Sequence, residues 1–125
     1  MPRPSFLSSR YKSFQFAFKG IAAVFRSEQN MHLHVIASII VFVMAYSFDV
    51  TKTEWCILIL CIGMVWTAET FNTALETLTN LVSPEHNILA GKTKDLAAGA
   101  VLLAAITAAI IGIIVFLPYW LAYIN

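Results

Sequence analysis

Two carboxylates and an amide recur at helical spacing in AETFNTALE (68–76), directly after the unbroken apolar run CILILCIGMVW (56–66). At about 3.6 residues per turn, Glu69, Asn72 and Glu76 fall within roughly 60° of one another. Asn80 carries the same stripe one turn further. If the helix that starts near Tyr11 continues, Glu28 and His32 lie on the side of Phe14 and Phe25, away from its basic face. The polar groups expected at one membrane face are then Glu28, His32, Glu69, Asn72, Glu76, Asn80, Glu85, His86, Lys92, Lys94 and Asp95. Clustered carboxylates without thiols or repeated histidines suit a hard cation such as Mg²⁺, held by one or two carboxylates together with phosphate oxygens. A further carboxylate in a partly dehydrated site can act as a general base, and lysines at the rim could offset the charge of a polyphosphate. Together these make a kit for phosphoryl transfer. A relay of ions or protons along intramembrane carboxylates is the rival chemistry.

One apparent nucleotide motif is excluded. Gly91-Lys92-Thr93 looks like the tail of a phosphate-binding loop, but His86 occupies the position where that motif needs its first glycine, and no strand precedes it. The signatures of soluble protein kinases are absent too. Any nucleotide site here is of another design.

The elements that must position these groups are membrane helices. Of 125 residues, 59% are hydrophobic and 12% charged, the latter about half of the ~25% usual in soluble domains. AAGAVLLAAITAAIIGIIVFL (97–117) carries no charge over a length that crosses a hydrocarbon core. LHVIASIIVFVMAYSF (33–48) holds no acid, lysine or arginine, and the run from Trp55 reaches span length by taking its polar seam with it. The reading is an all-α membrane protein with a surface helix over about 11–30 and membrane helices over about 31–48, 54–82 and 95–120, preceded by a disordered lead over 1–10. Residues 11–125 form one domain. In the surface helix Phe14, Phe18, Ile21 and Phe25 make an apolar stripe opposite Lys12, Gln15, Lys19 and Arg26, a pattern suited to the membrane surface.

Arg3, Arg10, Lys12, Lys19 and Arg26 precede the first span, and Lys92 and Lys94 precede the third. This excess puts the N-terminus and the 83–95 connection in the cytoplasm, with the 49–54 turn and the C-terminus outside. Thr53 is the expected cap of the second membrane helix, with Glu54 in its first turn. Pro84 and Gly91 are the expected breakers before the third, which Asp95 caps or starts. No cleavable signal is evident. Cys56 and Cys61 are five apart on one helix and cannot pair within it. A net charge of +1 offers no basic field for nucleic acid. His32 and His34 read as structural or interfacial groups, and Lys92 as a positive-inside anchor.

The pattern E-x-x-N-x-x-x-E at Glu69, Asn72 and Glu76, followed by SPEHNILAGKTKDLAAGAVLLAAI (83–106), resembles the small bacterial diacylglycerol kinase family over about 14–117. The resemblance implies an integral membrane kinase of the cytoplasmic (inner) membrane, with a surface helix and three membrane helices, working as a homotrimer with active sites shared between protomers. It implies transfer of the γ-phosphate of MgATP to a lipid hydroxyl, with Glu69 as general base and Asn72 at the reaction centre. Glu28 and Glu76 would hold the metal, Lys94 and Asp95 would contact the nucleotide, and Glu85, His86 and Asn87 would lie along it. Arg10 stands for the arginine the family uses near the start of the surface helix. Phe16 falls where some members have a tyrosine, so a hydroxyl contact to the nucleotide is lost. The family divides into diacylglycerol kinases and undecaprenol kinases, and SEQNMHLH (27–34), with E-x-N-x-x-x-H, is more similar to the undecaprenol branch. A non-catalytic assembly subunit, using the Gly/Ala-rich face of the third span, is the other alternative.

Overall fold

The computed structural model describes residues 5–125, four helices in the order α1 (Phe6–Ser27), α2 (Gln29–Ser47), α3 (Lys52–Val82) and α4 (Ile88–Ile124). The last three are each long and apolar enough to cross a membrane, so the expected architecture of one amphipathic helix and three spans is the one observed. Residues 1–4 of the expected disordered lead lie outside the described residues. The rest of that lead is helical: Ser5 caps α1 through its side chain, which accepts from the Ser8 amide at 3.3 Å. The serine is an ordinary N-cap signal hidden among small residues.

The break between surface helix and first span falls at Glu28, slightly before the expected boundary near 30/31, and corrects only the helical face extended from Tyr11 to His32. Glu28 is a single extended residue (φ −93°, ψ 115°) between α1 and α2. Its amide closes α1 on the Val24 carbonyl, and its carbonyl opens α2 by accepting from the His32 amide. The His32 ring adds a bond from Nε2 to the Phe25 carbonyl at 2.7 Å, which pins the elbow. No glycine or proline marks this break, so the wheel drawn through it in sequence was extended too far.

At the opposite end α2 closes in a Schellman arrangement. The Val50 amide bonds to the Ala45 carbonyl and the Asp49 amide to the Tyr46 carbonyl, with Asp49 in the left-handed region at φ 50°. Aspartate tolerates that conformation better than most residues. Thr51, not Thr53, then caps α3, in a reciprocal box with Glu54. The helix starts as soon as the Schellman turn ends, which leaves Thr53 inside it.

The α3–α4 connection is shorter than expected. Asn87 caps α4 by accepting from the Leu89 and Ala90 amides at 2.9 and 3.2 Å. Gly91 and Asp95 therefore sit inside α4, neither breaker nor cap. With 37 residues, α4 is about 55 Å long and overreaches a hydrocarbon core of about 30 Å.

The helices pack unevenly. α3 and α4 make the most extensive contact, α2 leans on α3, and α1 touches α2 and α3 only lightly. Up to Gly20, α1 buries nothing against protein, and its aromatic stripe is left exposed. At the end carrying the 48–51 turn, Ala45, Val50, Leu58, Val115 and Phe116 form the apolar core, flanked by Phe48, Trp55 and Tyr119. We refer to this as the turn end, and to the end carrying the 83–87 connection as the loop end.

Candidate active site

The buried face of α3 decides where the site lies. Leu58, Cys61, Val65, Glu69, Asn72 and Thr79 are its buried residues, spaced by threes, fours and one seven, the pattern of a helix packed along a single seam. The seam begins apolar at the turn end and becomes polar toward the loop end without leaving the same face. Glu69 and Asn72 thus occupy core positions of the bundle. They are 1% and 6% exposed.

These two side chains are also short of partners. Both carboxylate oxygens of Glu69 and Oδ1 of Asn72 are buried with no hydrogen bond, and buried polar atoms are almost always paired. The α3 threonines behave differently. Thr70, Thr73, Thr77 and Thr79 each donate to the carbonyl four residues back, at 2.7–3.0 Å, which lets a hydroxyl cross apolar surroundings at little cost. What is left unsatisfied on α3 is the part able to do chemistry.

Around Glu69 the structure gathers groups from three helices. A cavity of about 250 Å³ is lined by Asn30 and His34 of α2, Glu69, Asn72 and Glu76 of α3, and an α4 face that includes Ala98 and Ala105. His34 Nε2 stands 3.6 Å from Glu69 Oε2. Glu76 lines the same cavity, and Glu28 sits at the elbow where α2 begins. A second cavity of about 210 Å³ shares His34 and Ala105 with the first and runs toward the turn end past Val41, Leu58, Cys61 and Val65. It is apolar apart from His34 and Ser38.

Other expected site residues are less concentrated. Lys94 is half-buried and lies one turn before the cavity-lining Ala98 on α4, while Asp95 beside it is exposed. Glu85 and His86 are exposed in the connection, and the side-chain carbonyl of Asn87 is already engaged as the α4 cap. Arg10 packs its guanidinium over the Phe6 ring at 5.4 Å, and Phe16 is 70% exposed. Arg10 is 18 residues before Glu28, about 27 Å along a straight helix. One chain does not bring Arg10 or Phe16 to Glu69.

The donor set fits a hard cation held jointly with phosphate. Glu28 and Glu76 are carboxylates that could supply oxygen, and among the described residues no group of three or more His, Cys, Asp or Glu side chains could hold a metal by itself. A divalent ion here would need phosphate oxygens to complete its shell, as Mg²⁺ does with nucleotides.

Sequence reasoning set His34 aside, yet it faces Glu69. The signal that could have found it is its spacing from Glu28 and Asn30 in SEQNMHLH, which puts Asn30 and His34 four apart on one face once α2 starts at Gln29. Glu69 and Asn72 are buried within a single chain, while Glu28 and Glu76 are half-covered.

Comparison with known proteins agrees with this geometry. The prokaryotic diacylglycerol kinase family profile matches residues 15–116. The chain is 38% identical over 112 residues to undecaprenol kinase of Bacillus subtilis, spanning 90% of this chain and 91% of the relative. It is 36% identical to diacylglycerol kinase of Synechocystis over 107 residues, 85% of this chain and 61% of the relative. To the Escherichia coli diacylglycerol kinase it is 29% identical over 99 residues, 79% and 81% of the two chains. With a buried, unpartnered carboxylate at the foot of a membrane span and a family match over most of its length, this chain belongs to the prokaryotic diacylglycerol kinase family.

Proposed function

We propose that this protein is a lipid kinase that transfers the γ-phosphoryl group of MgATP to the hydroxyl of a membrane lipid, with undecaprenol preferred over diacylglycerol. The observation that carries the reading is Glu69: a core carboxylate with two unpartnered oxygens, on a cavity at the loop end of the spans. The site has the character an alcohol acceptor requires. A hydroxyl is barely ionised near neutral pH, so a base must take its proton as the new P–O bond forms. Glu69 is that base, and Asn72, one turn on, positions the hydroxyl and the incoming phosphoryl group. The apolar cavity running from His34 toward Val41 and Leu58 suits the lipid chain next to its head.

Glu28 and Glu76 are the carboxylates that would hold Mg²⁺, which when bound with ATP offsets charge on the β- and γ-phosphate oxygens. Lys94 supplies a cation at the rim, and Asp95, Glu85, His86 and Asn87 lie on the side from which a nucleotide would enter. Arg10 and Phe16 would serve the base end of a nucleotide lying along α1, or the nucleotide of a neighbouring copy. The latter fits a homotrimer with shared sites. The large apolar residues left exposed on α2 and α4, such as Ile36, Ile40, Leu103 and Ile113, call for lipid or further copies of the chain around them. The lysines and arginines put the loop end and N-terminus in the cytoplasm and the C-terminus outside the inner membrane. ATP would then arrive from the cytosol and the lipid by lateral diffusion.

The preference for undecaprenol rests on two facts. The relative at 38% identity is an undecaprenol kinase, and of the three residues that mark the 28–34 stretch, Asn30 and His34 line the cavity itself. Labelled MgATP offered to the protein in mixed micelles, with diacylglycerol and undecaprenol side by side, tests both claims. Faster transfer to undecaprenol supports the reading, faster transfer to diacylglycerol reverses the preference, and transfer to neither rejects the kinase.

A further inference from the structure

His34 lies beside contacts that tie α1, α2 and α3 together. The Trp66 indole Nε1–H donates to Ser38 Oγ at 3.2 Å, and Ser38 Oγ–H donates to the His34 carbonyl at 2.6 Å. The Phe25 ring meets Trp66 edge-on with centroids 5.1 Å apart, and the Phe25 carbonyl receives the His32 ring. The two histidines therefore divide the work: His32 fastens the elbow, and His34 is aimed into the core. Its Nε2 is buried without a hydrogen bond, and so are the Glu69 oxygens that it faces at 3.6 Å.

We propose that His34 is the positioning partner of Glu69, its Nε2–H directed at Oε2 so that the carboxylate is held ionised and oriented while the other oxygen takes the acceptor's proton. A buried carboxylate without a donor would swing between rotamers and favour its neutral form. Glu28 at the elbow and Glu76 on α3 are acids that cannot donate when ionised. The amides of Asn30 and Asn72 also line the cavity, but the side-chain nitrogen that stands against a Glu69 oxygen, at 3.6 Å, is His34 Nε2. Sub-ångström closure would bring the 3.6 Å separation into hydrogen-bond range.

This inference rests on Glu69 being the base, and its test separates the two. In the intact protein, His34→Ala is expected to lower kcat roughly a hundredfold, the cost of an unoriented catalytic group, with KM for MgATP and for lipid changed by less than about threefold. His34→Gln, which keeps an N–H donor of similar reach, should recover most of the rate, whereas a merely space-filling role would be rescued equally by His34→Leu. The side-chain nitrogen NMR signals of His34 should move in Glu69→Gln while those of His86 stay. A His34→Ala variant that turns over at the wild-type rate, or His34 signals indifferent to Glu69→Gln, would overturn the proposal. If the wild type phosphorylates no lipid, the kinase reading fails, and the NMR comparison still decides the pairing.

Discussion

The two ends of the bundle treat their polar groups in opposite ways: those of the turn end are open or half-covered and paired, while those of the loop end are buried and unpaired. At the turn end Glu54 accepts from the Thr51 amide and from the Tyr119 hydroxyl, Asp49 occupies the left-handed position of a closed turn, and Phe48 stacks on Tyr119 with centroids 5.9 Å apart. Every device there ends a helix or joins two. At the loop end Glu69 and Asn72 sit in the same helix, on the continuation of the same seam, with buried oxygens that have no hydrogen-bond partner among the described residues. One carboxylate is spent on holding the fold and the other is kept available. Unsatisfied buried groups destabilise a protein, so their survival at one end and absence at the other marks where the chain must meet something else.

That contrast can be broken by substitution. The largest effect is expected from Glu69→Gln, which should lower kcat by about a thousandfold or more while nucleotide affinity is retained; labelled-phosphate transfer beside a nucleotide-binding titration checks both halves. Surviving turnover would mean that the base is elsewhere. Glu76→Gln should act on binding instead, raising KM for MgATP on the order of tenfold, the worth of one charge-assisted contact, and the loss should ease as free Mg²⁺ is raised.

At the turn end the prediction inverts. Phe116→Ala should cost on the order of 1–3 kcal/mol of stability in detergent through lost packing, with kcat per folded molecule unchanged, which thermal unfolding followed by tryptophan fluorescence would show. Tyr119→Phe removes only the hydroxyl that Glu54 accepts and should cost about 1 kcal/mol or less, again with wild-type turnover. A large activity loss from either turn-end change would erase the distinction between the two ends.

Much of the candidate site is legible in the sequence, for reasons that are local. Glu69, Asn72 and Glu76 share a face because helical periodicity places them there, and the run that precedes them leaves no alternative to a long helix. A break between the surface helix and the first span was legible, but not its exact place or what holds it. Glu28 breaks α1 from α2 without glycine or proline, and what holds the break, the His32 ring on the Phe25 carbonyl, links residues seven apart across a bend that periodicity cannot foresee. The early start of α4 was missed for a different reason: Asn87 is an ordinary cap, but Gly91 and Asp95 downstream offered competing signals, and a long helix tolerates both.

By itself the sequence determined the membrane class, the number of spans and the polar stripe of α3, because each follows from composition or from the pitch of one helix. Only the tertiary structure decided which of those polar groups are buried, that the stripe is the core seam of the bundle, and that His34 rather than His32 faces Glu69. Those depend on how α2 rotates against α3 after the Glu28 elbow. A turn of one residue there moves a side chain by about 100°, enough to exchange a group facing lipid for one facing the base.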